Sequence, residues 1–215
     1  MNVRDAVMAG IAKQLGHPSG LRGRFVGVAL NRGNRRFVNA AAQALEPRET
    51  DEVADVGFGG GVGLKFLLAR AGRSGRVHGV EISDTMLAAA ARRYRRDIAD
   101  GRLTLHEGSL TQLPFADGQL SGVITVNTIY FVPELDRACA ELVRVVNTSG
   151  RIVIGLVDPD AMAKMPPTRH GFCIRPVAEV IDTLRAAGLT VEHRRIDQGF
   201  PPFHLLIGTP DAKRQ

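Results

Sequence analysis

Residues Asp55-Val56-Gly57-Phe58-Gly59-Gly60-Gly61 set an acid just ahead of glycines at alternate positions, 57, 59 and 61. Such a run can turn a strand sharply into a helix and let a ligand approach the main chain, because glycine has no Cβ to block either. The helix that follows points its first amides at the ligand and so favours a negatively charged group there. A dinucleotide fingerprint needs glycines at relative positions one, three and six. Counted from Gly57, Gly59 or Gly61, the sixth position is Val62, Leu64 or Phe66, so that pattern fails. Glu81 follows roughly 20 residues later, where a carboxylate at a strand end accepts both hydroxyls of a ribose. Its alternative role is to cap the next helix. Ile82 and Met86 offer apolar contacts beside a flat base, Met86 serving equally well as helix core.

Groups able to move a proton belong past the C-terminal edge of the sheet. The stretch from Asp158 to Phe172 holds Pro159, Pro166, Pro167 and the run Thr168-Arg169-His170-Gly171. Loops longer than about 12 residues often act as functional lids. His170, with an ordinary pKa of about 6.5, is the first candidate base or acceptor ligand. Asp158 is the second, with turn capping as its alternative, and Tyr130 the third, with a place in the pocket wall as its alternative. Arg169 suits an anionic acceptor or solvent. His193 and His204 fall on late strands and read as structural. No histidine–carboxylate cluster has metal-ligand spacing, so no structural metal and no metal ligands are expected, with a magnesium ion held loosely beside a sugar or catechol acceptor left open.

The elements that must position these groups alternate along the chain. A helical stripe at Phe37, Val38, Ala41, Ala42 and Leu45 precedes Pro47. Strands are predicted at 51–56, 76–82, 102–107, 121–127, 150–157, 190–197 and 203–208. Helices are predicted at 62–71, 84–99, 134–146 and 176–187, with Ser83 or Asp84 as a cap and Gly188 as a stop. Alternating strands and helices build a largely parallel sheet. The turn at Pro201 and Pro202 is too short for a parallel crossover, so one of the last two strands runs antiparallel. The division predicted is a helical cap over 1–47, a ligand-binding core over 48–157, an acceptor lid over 158–175 and a C-terminal helix and hairpin over 176–215, all one domain.

With 215 residues, 44% hydrophobic and 23% charged, the chain has ordinary globular composition. No apolar run approaches the roughly 20 residues of a membrane span, and the N-terminus lacks the apolar block of a secretory signal. Cys139 and Cys173 lack metal spacing and read as free thiols of a reducing cytoplasm. The net charge of +6 is spread over separate segments and carries no nucleic-acid recognition motif. Nucleic acid is therefore not the expected partner, and a membrane surface is a secondary expectation.

From about Asn31 to Gly208 the chain resembles the class I S-adenosylmethionine-dependent methyltransferases, specifically their small type 11 subgroup. The resemblance rests on Asp55 to Gly61, Gly79-Val-Glu81-Ile-Ser, Gly108-Ser109-Leu110, Leu113-Pro-Phe115, Glu141-Leu-Val-Arg144-Val-Val and Gly150-Arg-Ile-Val-Ile154. It implies an α/β, Rossmann-like, seven-stranded sheet of order 3-2-1-4-5-7-6, strand 7 antiparallel, with helices on both faces. It also implies S-adenosylmethionine as cofactor and S-adenosylhomocysteine as product. Asp55, Gly57, Gly59 and Gly61 would hold the methionine part and Glu81 the ribose. Ser109 stands where the family usually has an acid for the adenine amine, and the Leu110 backbone is the substitute. Asn127 would sit beneath the methionine amine and Tyr130 would border the sulfonium. Asn31 or Arg35 would reach the cofactor carboxylate, or else form a solvated basic face. Ser121-Gly122 and Asn147-Thr-Ser-Gly150 depart from the family at positions peripheral to the cofactor.

A methyltransferase of this kind is expected to act on a small-molecule acceptor, at oxygen. Aromatic residues make up only 5% of the chain, and flat aromatic substrates want aromatic walls. The expectation is therefore a hydroxyl of a sugar or other polar metabolite. A weaker resemblance to small actinobacterial methyltransferases that modify glycans points the same way. The alternatives are a phospholipid-headgroup or quinone methyltransferase and a non-catalytic module that binds the cofactor.

Overall fold

A computed structural model of the chain describes residues 33–197 and 201–211, together with Asp5, Met8, Gly10, Ala12 and Gly16. Asn31 lies outside the described residues. In chain order the elements are helix α1 (33–44), β1 (Glu52–Val56), α2 (Val62–Arg70), β2 (Arg76–Glu81), α3 (Asp84–Arg93), α4 (Arg95–Ala99) and β3 (Leu103–Glu107). Then come β4 (Leu120–Val126), α5 (Leu135–Val145), β5 (Val146–Val157), α6 (Pro159–Ala163), α7 (Val177–Ala186), β6 (Leu189–Ile196) and β7 (Phe203–Pro210).

The seven strands form one sheet of order β3-β2-β1-β4-β5-β7-β6. The first five run parallel, and β7 is antiparallel to both β5 and β6. The chain moves outward from β1 through β2 to β3, then returns to β4 on the other side of β1. Right-handed crossovers in opposite directions put their helices on opposite faces, and the crevice between β1 and β4 is the switch point where ligands bind in such sheets. Alternate side chains of the buried strands supply the core: Val53 on β1, Val77 on β2, Ile124 on β4 and Ile152 and Ile154 on β5 are all almost wholly buried.

Three elements differ from the sequence expectation, each for a tertiary reason. The helix expected over 84–99 is broken at Tyr94, whose hydroxyl leaves the helix line to donate to the Gly61 carbonyl at 2.7 Å. Strand β5 begins at Val146 rather than at residue 150, because its register against β4 jumps from Leu120↔Val146 to Gly122↔Arg151. The bulge is tight, since a Cβ on Gly150 would sit 2.5 Å from the Val146 side chain. The expected lid loop carries α6 and a single-turn 3-10 helix (Pro166–Arg169).

Away from the crevice, His78 on β2 binds His106 on β3 (Nδ1 to Nε2, 3.0 Å) and Glu52 (Nε2 to Oε1, 2.8 Å). Burial lowers the pKa of both imidazoles, and for His78 the Glu52 carboxylate offsets that only in part. The unfolded chain therefore takes up these protons first, near 6.5. The stability that the pair contributes is complete above that value and is lost as the pH falls through the lower folded values. The urea midpoint should drop as the pH is taken below about 6.5, and His78→Asn with His106→Gln should flatten that slope. An equally steep slope in the double variant would show that other groups carry the acid sensitivity.

Candidate active site

At the C-terminal end of β1, Asp55 is buried and the chain turns through Gly57, Gly59 and Gly61, all at positive φ (70°, 50° and 76°). Left-handed backbone at alternate positions is what side chains resist and glycine accepts. Gly57 is also pressed against β4's exit: a Cβ there would lie 2.5 Å from the Thr128 side chain. The sequence pattern missed Gly63, in the first turn of α2, where a Cβ would overlap the Asp55 carboxylate.

Glu81 ends β2 across from this turn. Its carboxylate accepts from the backbone N–H of Gly59 (2.9 Å), Ile82 (2.9 Å) and Ser83 (3.1 Å), so a side chain from one strand end holds the turn of another. Burial, and secondly the charge of Glu81, push the Asp55 carboxyl up to about 8.

Both acids open onto a cavity of about 490 Å³. Gly57, Phe58, Gly59 and Gly60 form one wall, and Glu81, Ile82, Ser109 and Leu110 another. Ile82 is 40% exposed, unusual for a large apolar side chain. Met86 is buried in the core and does not reach the cavity wall. Gly61 is off the wall and caps α2. Ser109 binds the Thr111 hydroxyl (3.0 Å), and its carbonyl accepts from Gln112 N–H (3.1 Å), a tight turn that presents residues 109–111 to the cavity.

Asn127 follows β4 with a φ of 58°, a left-handed conformation that asparagine tolerates better than most residues. Its side-chain oxygen accepts from Val157 N–H (3.3 Å) and its amide donates to Asn34 on α1 (3.1 Å). Asn34 lines the cavity. Arg35, one residue on, is exposed with its guanidinium 5.8 Å from the Phe66 ring centroid, away from the wall. Among the described residues of this segment, Gly33 and Asn34 line the cavity, and neither was singled out by charge or amide pattern.

Of the three proton-transfer candidates, only Tyr130 lines the cavity. Its hydroxyl donates to the Val157 carbonyl (3.2 Å), and burial pushes the phenol far above the usual tyrosine range. Asp158 caps α6 through Asp160 N–H (3.0 Å) and Ala161 N–H (3.1 Å), and its other oxygen meets His204 Nε2 at 3.2 Å. His204 in turn contacts His193 (2.8 Å). Burial acts to raise the Asp158 pKa, but the His204 hydrogen bond and the two backbone amides outweigh it and hold the group low. Asp158 is thus spent on folding the lid. His170 and Arg169 lie off the wall.

The other side of the cavity is built by Phe37 and Val38 of α1, by residues 130–134 after β4, and by Val157, Met162, Met165, Pro167, Thr168, Phe172 and Pro201. Arg175, which no spacing rule singled out, joins these pieces. It donates to the carbonyls of Ile129 (3.3 Å), Val132 (2.9 Å), Pro133 (2.7 Å) and Cys173 (3.5 Å). Cys173 N–H adds a bond to the Tyr130 carbonyl (2.7 Å). No group of three or more His, Cys, Asp or Glu among the described residues could hold a metal ion.

Residues 54–154 match the family model described as Methyltransferase domain. The erythromycin 3''-O-methyltransferase of Saccharopolyspora erythraea is 29% identical over 151 residues, covering 66% of this chain and 49% of that protein. A ubiquinone/menaquinone biosynthesis C-methyltransferase of Rhizobium etli is 27% identical over 148 residues, covering 67% of this chain and 57% of that protein. The chain spans about half the length of the curated relatives it matches. A solved SAM dependent methyltransferase from Aquifex aeolicus shares the fold with a TM-score of 0.68 at 18% identity, covering 93% of this chain and 97% of that one.

An acid whose folded pKa is raised stabilises the fold only while protonated. The Asp55 contribution is complete below its ordinary 3.8 and is lost as the pH rises through about 8. In ligand-free protein Asp55→Asn should therefore raise the urea midpoint at about pH 8, and the gain should fade towards about pH 4. A variant less stable than the native chain at both pH values would mean that the carboxylate is favourably bound when ionised.

Proposed function

We propose that this chain, whose residues 54–154 match the methyltransferase-domain family model, is a class I S-adenosylmethionine-dependent methyltransferase that transfers the cofactor's methyl group to an oxygen of a small-molecule acceptor. The observation that carries this reading is a single cavity whose one half is walled by the glycine turn, Asp55 and Glu81 and whose other half is walled by the lid. The cofactor bears a sulfonium and an ammonium, and the two buried acids favour positive charge between them.

In this assignment the turn at Gly57, Gly59 and Gly60 takes the methionine part beside Asp55, with Gly61 shaping the turn. Glu81 accepts from the ribose hydroxyls, exchanging the backbone amides it now binds. Ile82 covers one face of the adenine, and Ser109 and the Leu110 backbone meet its edge. Asn127 and Tyr130 border the sulfonium. The acceptor oxygen attacks the methyl carbon in line, the carbon–sulfur bond breaks, and its electron pair stays on sulfur to give S-adenosylhomocysteine. The protein supplies alignment, worth up to roughly 7–11 kcal/mol in favourable cases.

A hydroxyl acceptor must also lose its proton, which a positioned base accelerates by about 10²–10⁴-fold. His170 and Asp158 are not placed for that step, and the Tyr130 hydroxyl already donates to a carbonyl. On the acceptor side the wall carboxylate is Glu134, exposed at the start of α5.

Two measurements test the assignment. Methyl-labelled cofactor and the protein, added to extracts of the source cells, should place label in a small molecule. Label retained on the protein without turnover, in any fraction, would favour a binding module instead. Glu81→Ala should weaken cofactor binding by about 1–3 kcal/mol through loss of a charged hydrogen-bond acceptor, and unchanged affinity by calorimetry would show that the ribose lies elsewhere.

A further inference from the structure

The low aromatic content of the chain predicts a polar acceptor, but the arrangement of those few residues does not. Five of the eleven aromatic side chains line this one cavity: Phe58 from the glycine turn, and Phe37, Tyr130, Phe131 and Phe172 on the opposite half. Phe131 and Phe172 pack at 4.6 Å between centroids, and Phe37 is backed by Phe203 at 4.3 Å. Met162 and Met165 complete the wall from the lid, with flexible, polarizable side chains that adapt to irregular apolar shapes. Gly16 closes in from the N-terminal side, so near that a Cβ there would be 2.8 Å from the Phe131 ring.

The hydroxyls on this wall are turned away from an acceptor. Thr168 donates to the Met162 and Met165 carbonyls (3.0 and 2.8 Å), and Tyr130 to Val157. A sugar buried here would lose water from several hydroxyls and recover few hydrogen bonds, which costs affinity at each one. The ionisable groups that line the cavity among the described residues, Asp55, Glu81 and Glu134, are all acids, and Lys and Arg are absent from its described lining. Their field draws in a cationic cofactor and repels a phosphorylated or carboxylated acceptor.

Resting on the methyl-transfer reading above, we propose that the acceptor is a neutral molecule with a hydrophobic body and one hydroxyl presented to the cofactor, such as a phenol or lipophilic alcohol. This reading replaces the hydroxyl of a sugar or other polar metabolite expected from composition.

The test uses the full chain and begins with calorimetry of S-adenosylhomocysteine. Failure to bind it would sink the cofactor assignment and leave nothing to ask of the acceptor. On the loaded protein, the neutral probe N-phenyl-1-naphthylamine should brighten on binding. 1-Naphthol should displace it at concentrations at least about ten-fold below those needed for 1-naphthyl phosphate, and methyl glucoside should not displace it. Phe172→Ser and Met165→Gln should each weaken the probe by about ten-fold while S-adenosylhomocysteine binds as before. The proposal is overturned if the glucoside or the phosphate competes as well as 1-naphthol, if the probe does not bind, or if both variants bind it unchanged.

Discussion

Two buried acids share one corner at the top of the sheet, and the architecture is organised around keeping them there. Asp55 arrives on β1 and Glu81 on β2, adjacent parallel strands whose register sets their ends side by side. Glu81 is held by three backbone amides, one of them from the glycine turn itself. Asp55 is pressed against the start of α2 at a position open only because residue 63 has no side chain. Like charges in a buried site are costly, and the cost is concentrated where a cationic ligand relieves it. The sheet order, the left-handed turn and the Tyr94 bond to Gly61 all serve that corner.

Much of this half was legible in the sequence because it is local. Alternate glycines, an acid before them and a second acid at the next strand end lie within about 30 residues, and short-range geometry forces them together. The largely parallel sheet and the antiparallel hairpin likewise followed from alternation and a short turn, whereas the strand order came only with the family resemblance. What the sequence left open was decided by packing. Met86 had equal claims on the ligand and on the core, and helix α3 turned it inward. Asn34 was invisible because asparagine in a helix carries no pattern, and only the fold brings it to Asn127.

The acceptor half was less legible, and for a different reason. Its walls come from α1, the segment after β4, the lid and Pro201, far apart in the chain. Composition averages over all of them and cannot report convergence. A chain poor in aromatics can still bring four of its eleven to one surface. The titratable lid residues misled in the opposite direction. Asp158 looks reactive by type, yet it caps the lid's own helix and closes a hydrogen-bonded chain with His204 and His193, the two late-strand histidines that the sequence marked as structural. A long loop must satisfy its backbone before it can serve a ligand.

Beside an ion pair with Glu179 on α7 (3.4 Å), Arg175 ties the end of the lid to the segment after β4 through main-chain carbonyls. Such a clasp reads the path of the backbone and is blind to the side chains that the path displays. Phe131, Val132 and Phe172 can therefore be exchanged for residues of other shapes while the scaffold that presents them stays pinned. The Asp55–Glu81 corner, held by its own glycines and amides, is untouched by such exchanges. The fold thus separates what must be kept from what can be rewritten, which makes its acceptor wall a natural place for substrate range to diversify by drift or by directed evolution.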